Sequence, residues 1–304
     1  MGCVGDLMVD VCVTAPALAR GGDVPGSVAL RPGGAAANVA VWVRAAGAGA
    51  RVVARRGADL AGELLAAALA GRGVEIHPPA ASRPTGAMLV VWEAGERSFV
   101  ADPGANAALD ERDVLAGLAG TDAVFVSGYT LLRPGSHGAA LAAARVAGRT
   151  RPAAVDASSW PLLAGPARPA VVAAASAAGT LLANAEEAVA LTGLADPARA
   201  AGALARRVPV AVVKLGPGGV LVAAGDRLHA LGAVPAAVVD PTGAGDALAA
   251  GYLVARAGGA DPVEAARAGV LLAARAVTVE GAWPPADLPP ADLPPADHER
   301  PPLQ

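Results

Sequence analysis

The chain reads as an α/β protein: a three-layer α/β/α sandwich around a mostly parallel central sheet, with a small β-strand lid. Three observations predict it. Short Val-rich runs alternate with longer Ala/Leu/Arg segments, the succession expected of parallel strands joined by helices on both faces. Two segments, about 9–32 and 83–102, break that alternation with turn-rich or strand-like sequence. A glycine-rich turn, Asp240-Pro241-Thr242-Gly243-Ala244-Gly245-Asp246, stands between an apolar run and an Ala/Leu helix pattern.

The strands are predicted at 2–4, 51–54, 123–127, 153–155, 179–183, 210–215 and 236–239. The helices are predicted at 36–46, 60–71, 137–147, 185–192, 197–206, 246–257 and 262–277. Residues 85–101 form two alternating runs around Glu93-Ala94-Gly95-Glu96, a hairpin signal inside an α/β pattern. Extra strands projecting over the sheet would make a lid; a surface hairpin without function is the competing reading. From Pro284 onward Pro-Pro-Ala-Asp-Leu repeats every five residues, and 286–304 are expected to be a disordered tail.

Composition narrows the class. The 304 residues suffice for a substantial core, and 54% hydrophobic content with only 3% aromatics means that core is built from small side chains. No run reaches the roughly 18 apolar residues of a membrane span, so no membrane partner is expected. A net charge of −3 argues against nucleic acid. Cys3 and Cys12 flank the first apolar segment, as buried thiols would, and the start lacks a basic leader; a cytoplasmic location is expected. His77, His137, His229 and His298 share no metal-ligand spacing.

The glycine-rich turn carries the chemistry. Gly243, Ala244 and Gly245 at a helix start present backbone N–H groups to an anion, where the helix dipole adds to the attraction. Asp246 beside them would repel a phosphate, so its useful role is to take a proton from a hydroxyl; an N-capping Asp is the bland alternative. Gly33-Gly34 open a helix that places Asn38 one turn on, and Asp10 precedes them; Asp10 with Asn38 suits vicinal hydroxyls, although turn and cap roles also explain these residues. Asn184 and Glu187 have the spacing of a capping box and equally that of a residue pair organising hydrated magnesium. Lys214-Leu215-Gly216-Pro217-Gly218-Gly219 is a tight turn between strands, fit to border a nucleotide or to close a hairpin. No Gly-x-x-x-x-Gly-Lys-Ser/Thr occurs, which excludes P-loop chemistry.

Taken together, these motifs resemble the ribokinase-like (PfkB) carbohydrate kinases over nearly all of residues 1–285. Residues 240–246 look like the family signature Asp-Thr-x-Gly-Ala-Gly-Asp, with Pro241 in place of one variable residue. The resemblance implies an ATP-dependent phosphotransferase acting on a primary hydroxyl of a small sugar, with Asp246 as base and Gly243, Ala244 and Gly245 as anion hole. It implies substrate contacts from Asp10, Gly33, Gly34 and Asn38, and ATP contacts from Asn184, Lys214, Gly216 and Gly219. Glu187 would organise Mg2+ through water, and Asp240 with carbonyls near Gly281 would hold a monovalent cation, K+. A single kinase domain over 1–285 with the lid inserted, and a homodimer through lid strands, complete the expectation. Where ribose-specific members resemble one another in a Glu, this chain has Gly128-Tyr129; residues 156–160 only loosely resemble the Asp-x-Asn-x-Arg stretch of fructose and ketodeoxygluconate kinases. Two alternatives remain open: a nucleoside kinase of the same fold, and a sugar- or nucleotide-binding regulator without turnover.

Overall fold

The computed structural model describes residues 1–93, 96–163, 167–289 and 291. In chain order the strands are β1 (Gly2–Val4), β2 (Met8–Ala15), β3 (Ser27–Gly33), β4 (Ala50–Val53), β5 (Val74–His77), β6 (Gly86–Glu93), β7 (Glu96–Asp102), β8 (Val124–Ser127), β9 (Ala153–Asp156), β10 (Thr180–Asn184), β11 (Val210–Lys214), β12 (Val220–Ala224) and β13 (Arg227–Leu231). The helices are α1 (Ala35–Ala45), α2 (Leu60–Ala70), α3 (Glu111–Gly117), α4 (Gly128–Leu132), α5 (His137–Gly148), α6 (Ala167–Ala178), α7 (Ala185–Thr192), α8 (Pro197–Ala205), α9 (Ala244–Ala257) and α10 (Pro262–Ala276).

Nine strands form one sheet in the order β13-β12-β11-β10-β9-β8-β1-β4-β5. From β11 to β5 every pairing is parallel, while β12 and β13 add antiparallel strands at one edge. Side chains on successive residues go to opposite faces. Cys3, Val52, Phe125, Leu182 and Val212 therefore pack under α1, α2, α9 and α10. Val4, Val53, Val126, Leu181 and Val213 pack under α3, α5, α6, α7 and α8. After β1 the chain runs outward through β4 and β5, then returns to the other side of β1 as β8. The reversal opens a crevice at the carboxyl ends of β1 and β8, the position where open α/β sheets bind ligands.

A second sheet, β3-β2-β6-β7, stands over that crevice. Its alternation is clean. Met8, Asp10, Cys12, Met88, Val90, Trp92, Phe99 and Ala101 line the cleft, whereas Val28, Leu30, Leu89 and Val100 on the other face are exposed.

One predicted strand is absent. Residues 236–239 form an exposed connection, with Val238 and Val239 at 67% and 64% exposure, tied down by the Val239 and Asp240 amides donating to Val277 O. The apolar run mimics a buried strand because Val239 faces the ligand cleft instead of the core. Helix α6 is the reverse case, an element absent from the sequence prediction although Val171, Ala174, Ala175 and Ala178 are buried at helical spacing. Of the proline-repeat segment, 286–289 and 291 are described, and Leu288 and Ala291 pack against the core. Ala291 N donates to Ala45 O at 3.1 Å and Arg275 donates to Pro289 O; residues 290 and 292–304 lie outside the described residues.

The small-residue core has a specific consequence at the α9–α10 contact. A Cβ added to Gly251 would lie 2.8 Å from Ala268 O and 3.0 Å from Gly269 Cα, so the two backbones touch through glycine. Gly251→Leu should force the helices apart and lower stability by about 1–3 kcal/mol, read as a fall in Tm with the far-UV helix signal kept below the transition.

Candidate active site

Asp246 lies in the first turn of α9, whose N-cap is Gly243 at φ +79°. A side chain at Gly243 would meet Ala282 Cα at 2.8 Å, so both conformation and space require glycine there. Among the described residues no hydrogen bond is made by the Gly243 or Gly245 N–H groups, while Ala244 N donates to Pro241 O at 3.3 Å. The helix start is thereby left with donors able to meet an anion. Asn38, one turn into α1, donates from Nδ2 to Asp246 Oδ2 at 2.9 Å, and its Oδ1 accepts from Trp283 Nε1 at 2.9 Å. That chain fixes the amide orientation of Asn38 and the rotamer of Asp246 together.

Burial pushes the Asp246 carboxyl up to about 7; the Asn38 bond lowers it, the charge of Asp156 raises it and Lys214 lowers it. A carboxyl held there is ionised for about half the molecules at neutral pH and retains enough basicity to accept a hydroxyl proton. The Asp10 carboxyl is also raised, to about 6, by burial. It lies against Gly33, where a Cβ would fall 2.3 Å from Asp10 Oδ2, and Gly34 at φ +96° packs on the Asp6 carbonyl. Gly33 and Gly34 are thus demanded by the approach of two acidic residues to the entry of α1.

The cleft has a volume of about 1010 Å³ and brings together Asp10, Gly34, Asn38, Asp240, Asp246 and Gly281. Asp240 accepts from Thr242 N at 2.9 Å and from Gly281 N at 3.0 Å, so it ties the glycine-rich turn to the closing loop, residues 281–284 after α10. Trp42 anchors the same loop by donating to Ala282 O at 2.9 Å.

The remaining sequence-predicted residues are not among those that line the cleft, and of them Lys214 comes against the helix start, its Nζ 3.4 Å from a Cβ built on Gly245. Asn184 and Glu187 form the full capping box: Glu187 N donates to Asn184 Oδ1 and Asn184 N to Glu187 Oε2, both at 2.7 Å. Burial pushes the Glu187 carboxyl up to about 7, the Asp156 charge adds to this, and Lys214 and the Asn184 amide oppose it. Lys214 ends β11 and donates to Asp156 Oδ2 at 2.7 Å. Burial works against its charge, but Asp156 and Glu187 outweigh that and raise its pKa. Gly216 opens the turn after β11, and Gly219, at φ +87°, closes it where a Cβ would strike Leu231 O.

Sequence reasoning missed Asp6, Arg133, Asp156 and Ser158 as site residues. Arg133 donates to Asp6 Oδ1 at 2.5 Å, and Asp6, Arg133, Asp156 and Ser158 all line the cleft. The available signal was position: Asp6 follows β1 and Asp156 ends β9, at the carboxyl edge of the sheet.

Comparison with known proteins now bears on this geometry. The model of the pfkB family carbohydrate kinases matches residues 2–288. The chain belongs to that family. It is a kinase of the sugar or nucleoside type, and ATP dependence is the family's property. The kinase is similar to an adenosine kinase from Sinorhizobium meliloti, with a TM-score of 0.81, 26% identity, and 93% and 95% of the two chains covered. It is similar to a ribokinase from Thermotoga maritima at a TM-score of 0.78 and 25% identity, covering 92% and 93%. A 1-phosphofructokinase from Haloferax volcanii is 40% identical over 77 residues, a match that spans 25% of either chain. Among the described residues no helix of the kinase is long and apolar enough to cross a membrane.

The raised Asp246 carboxyl sets a pH expectation. If Asp246 is the base, the role proposed below, only its ionised form accepts the proton, and kcat/KM should fall as pH drops through about 7. Because the Asn38 bond lowers this value, Asn38→Ala should move the acid limb to higher pH as well as raise the acceptor KM. A pH–rate profile of both proteins measures it, and an unmoved limb would remove Asp246 as the titrating group.

Proposed function

We propose that this kinase transfers the γ-phosphoryl of ATP to a primary hydroxyl of a small, uncharged sugar. The single observation that supports the reading is Asp246. Its carboxyl is tuned to about 7, lies on the cleft and stands in the same helix turn as the amides of Gly243 and Gly245. In this reading Asp246 takes the hydroxyl proton, and the Gly243–Gly245 amides hold the charge on the phosphoryl oxygens. Ala244 joins the anion hole by releasing its long bond to Pro241 O. Asp10, Gly33, Gly34 and Asn38 hold the sugar hydroxyls, and Asn184, Lys214, Gly216 and Gly219 border the nucleotide.

Charge balance in the cleft favours an uncharged acceptor. Arg133 is paired with Asp6, and Arg31 with Glu280 at 2.6 Å. Among the described residues Asp10 forms no salt bridge, which disfavours a phosphosugar or sugar acid.

The residues present fit magnesium held through water. Both Glu187 oxygens already accept from Asn184, which fixes the carboxylate and leaves lone pairs to accept from a water of the magnesium shell. When bound, Mg2+ neutralises charge on the phosphates. Among the described residues no cluster of three or more His, Cys, Asp or Glu forms a protein metal cage, as befits an ion carried mainly by phosphates and water. The Asp240 carboxylate and carbonyls near Gly281 are proposed to hold K+.

A nucleoside acceptor is the second reading, favoured by Trp92 and Phe99 on the cleft face of the lid, where a flat base would stack. The outer lid face, with Val28 at 66%, Leu30 at 59% and Val100 at 66% exposure, is proposed to pair in a homodimer. A cytoplasmic location is proposed, in keeping with two cysteines and no disulfide among the described residues.

An ADP-release assay over sugars and nucleosides, with and without potassium, should show turnover on a neutral sugar with a primary hydroxyl. Turnover restricted to nucleosides would select the second reading. Asp246→Asn should keep nucleotide binding and lose at least ~10²-fold in kcat, and near wild-type turnover would sink the assignment of the base. Solution mass should be twice the chain mass, with Leu30→Asp shifting it to that of a monomer.

A further inference from the structure

Asp156 is a residue with two commitments. Its Oδ2 accepts from Lys214 Nζ at 2.7 Å, and its Oδ1 accepts from Ser158 N at 2.9 Å. Ser158 has φ +75°, the one non-glycine residue with positive φ among the described residues. Such strain persists where surrounding structure holds it, and functional sites are where it gathers. The Ser158 Oγ accepts from Tyr129 N at 3.1 Å, and Ser158 and Tyr129 both line the acceptor cleft.

Lys214 faces the other way. A Cβ built on Gly245 would lie 3.4 Å from its Nζ, so the ammonium sits against the start of α9. Glu187 and Asp246 act on it electrostatically from α7 and α9. Of the 24 Lys and Arg residues in the chain, Lys214 is the only lysine. A compact ammonium fits between a carboxylate and a helix start where the wide guanidinium fork of arginine would not.

We propose that Asp156 is a positioning residue for phosphoryl transfer: it holds the Lys214 ammonium beside the Gly243–Gly245 amides to meet the transferring phosphoryl, and links that placement to the Ser158 turn on the acceptor side. The inference rests on the kinase reading. Its competitor is an ordinary buried ion pair that only stabilises the fold.

Removing both charges separates the two. Asp156→Asn and Lys214→Met should each lower Tm, because each leaves one buried charge without its partner. Each should also lower kcat on the best acceptor by ~10²-fold, the scale of losing one electrostatic contact to the transition state. In the double variant D156N/K214M the ion pair is removed whole, and the opposed effects of Asp156 and Lys214 on Glu187 and Asp246 are removed together, so Tm should return toward wild type while kcat stays as low as in Lys214→Met alone. Lys214→Arg should not recover kcat. The MgADP affinity of Asp156→Asn, by titration calorimetry, should stay within a few-fold of wild type, since ADP lacks the transferred group. Recovery of kcat in the double variant, wild-type kcat in Asp156→Asn, or a tenfold loss of MgADP affinity with unchanged kcat overturns the proposal while leaving the kinase reading standing. A wild-type protein that turns over no acceptor overturns the kinase reading, and this inference with it.

Discussion

The arrangement of this site depends on keeping one buried carboxylate at a helix N-terminus. An anion at that helix start, as proposed for the phosphoryl group, would repel Asp246, so the carboxylate has to be held at a fixed angle and its charge moderated. Asn38 does the holding, with a 2.9 Å bond from α1, and Trp283 holds Asn38 in turn from the closing loop. Burial does the moderating by raising the carboxyl to about 7. Three segments far apart in the chain thus converge on one side chain, and the α1–α9 packing is as much part of the site as the residues that line it.

That packing explains the composition. With aromatics at 3%, helices α1, α9 and α10 approach the sheet and one another through Ala and Gly. The few large side chains in this region go where they also anchor the closing loop: Trp42 is fully buried and reaches Ala282 O, and Trp283 lies under Arg72 as well as on Asn38. Polar side chains inside the core are correspondingly few and mostly paired, Thr130 Oγ1 being an exception. Asn106, almost fully buried, exchanges bonds with Leu7 N and Leu7 O just past β1 and so fixes the chain where it leaves the large sheet for the lid.

The lid follows from strand alternation. One face of β2, β3, β6 and β7 gives Asp10, Met88, Trp92 and Phe99 to the cleft, and the other is an apolar surface facing outward. A sheet with two such faces would gain by covering both, as the proposed acceptor and the proposed homodimer would do. In that reading, water exclusion under the lid would limit hydrolysis of ATP and would tie the lid to fidelity as well as to binding.

The sequence by itself determined the α/β class, the strands and helices with strong periodicity, and the local motifs. Helix starts, capping boxes and glycine turns are fixed by residues a few positions apart, so Gly243–Asp246, Gly33-Gly34-Asn38 and Asn184–Glu187 were legible without coordinates. It misled at 236–239, where apolar character serves a cleft, since periodicity cannot distinguish a ligand surface from a core. Only the tertiary structure decided the strand order, and with it which polar residues at strand ends become neighbours. Asp156 and Lys214 are 58 positions apart and meet because β9 and β11 flank β10. Asp6 and Arg133 meet because β8 returns beside β1. Such pairs depend on sheet topology, a long-range property set by how the whole core packs, and no local pattern records it.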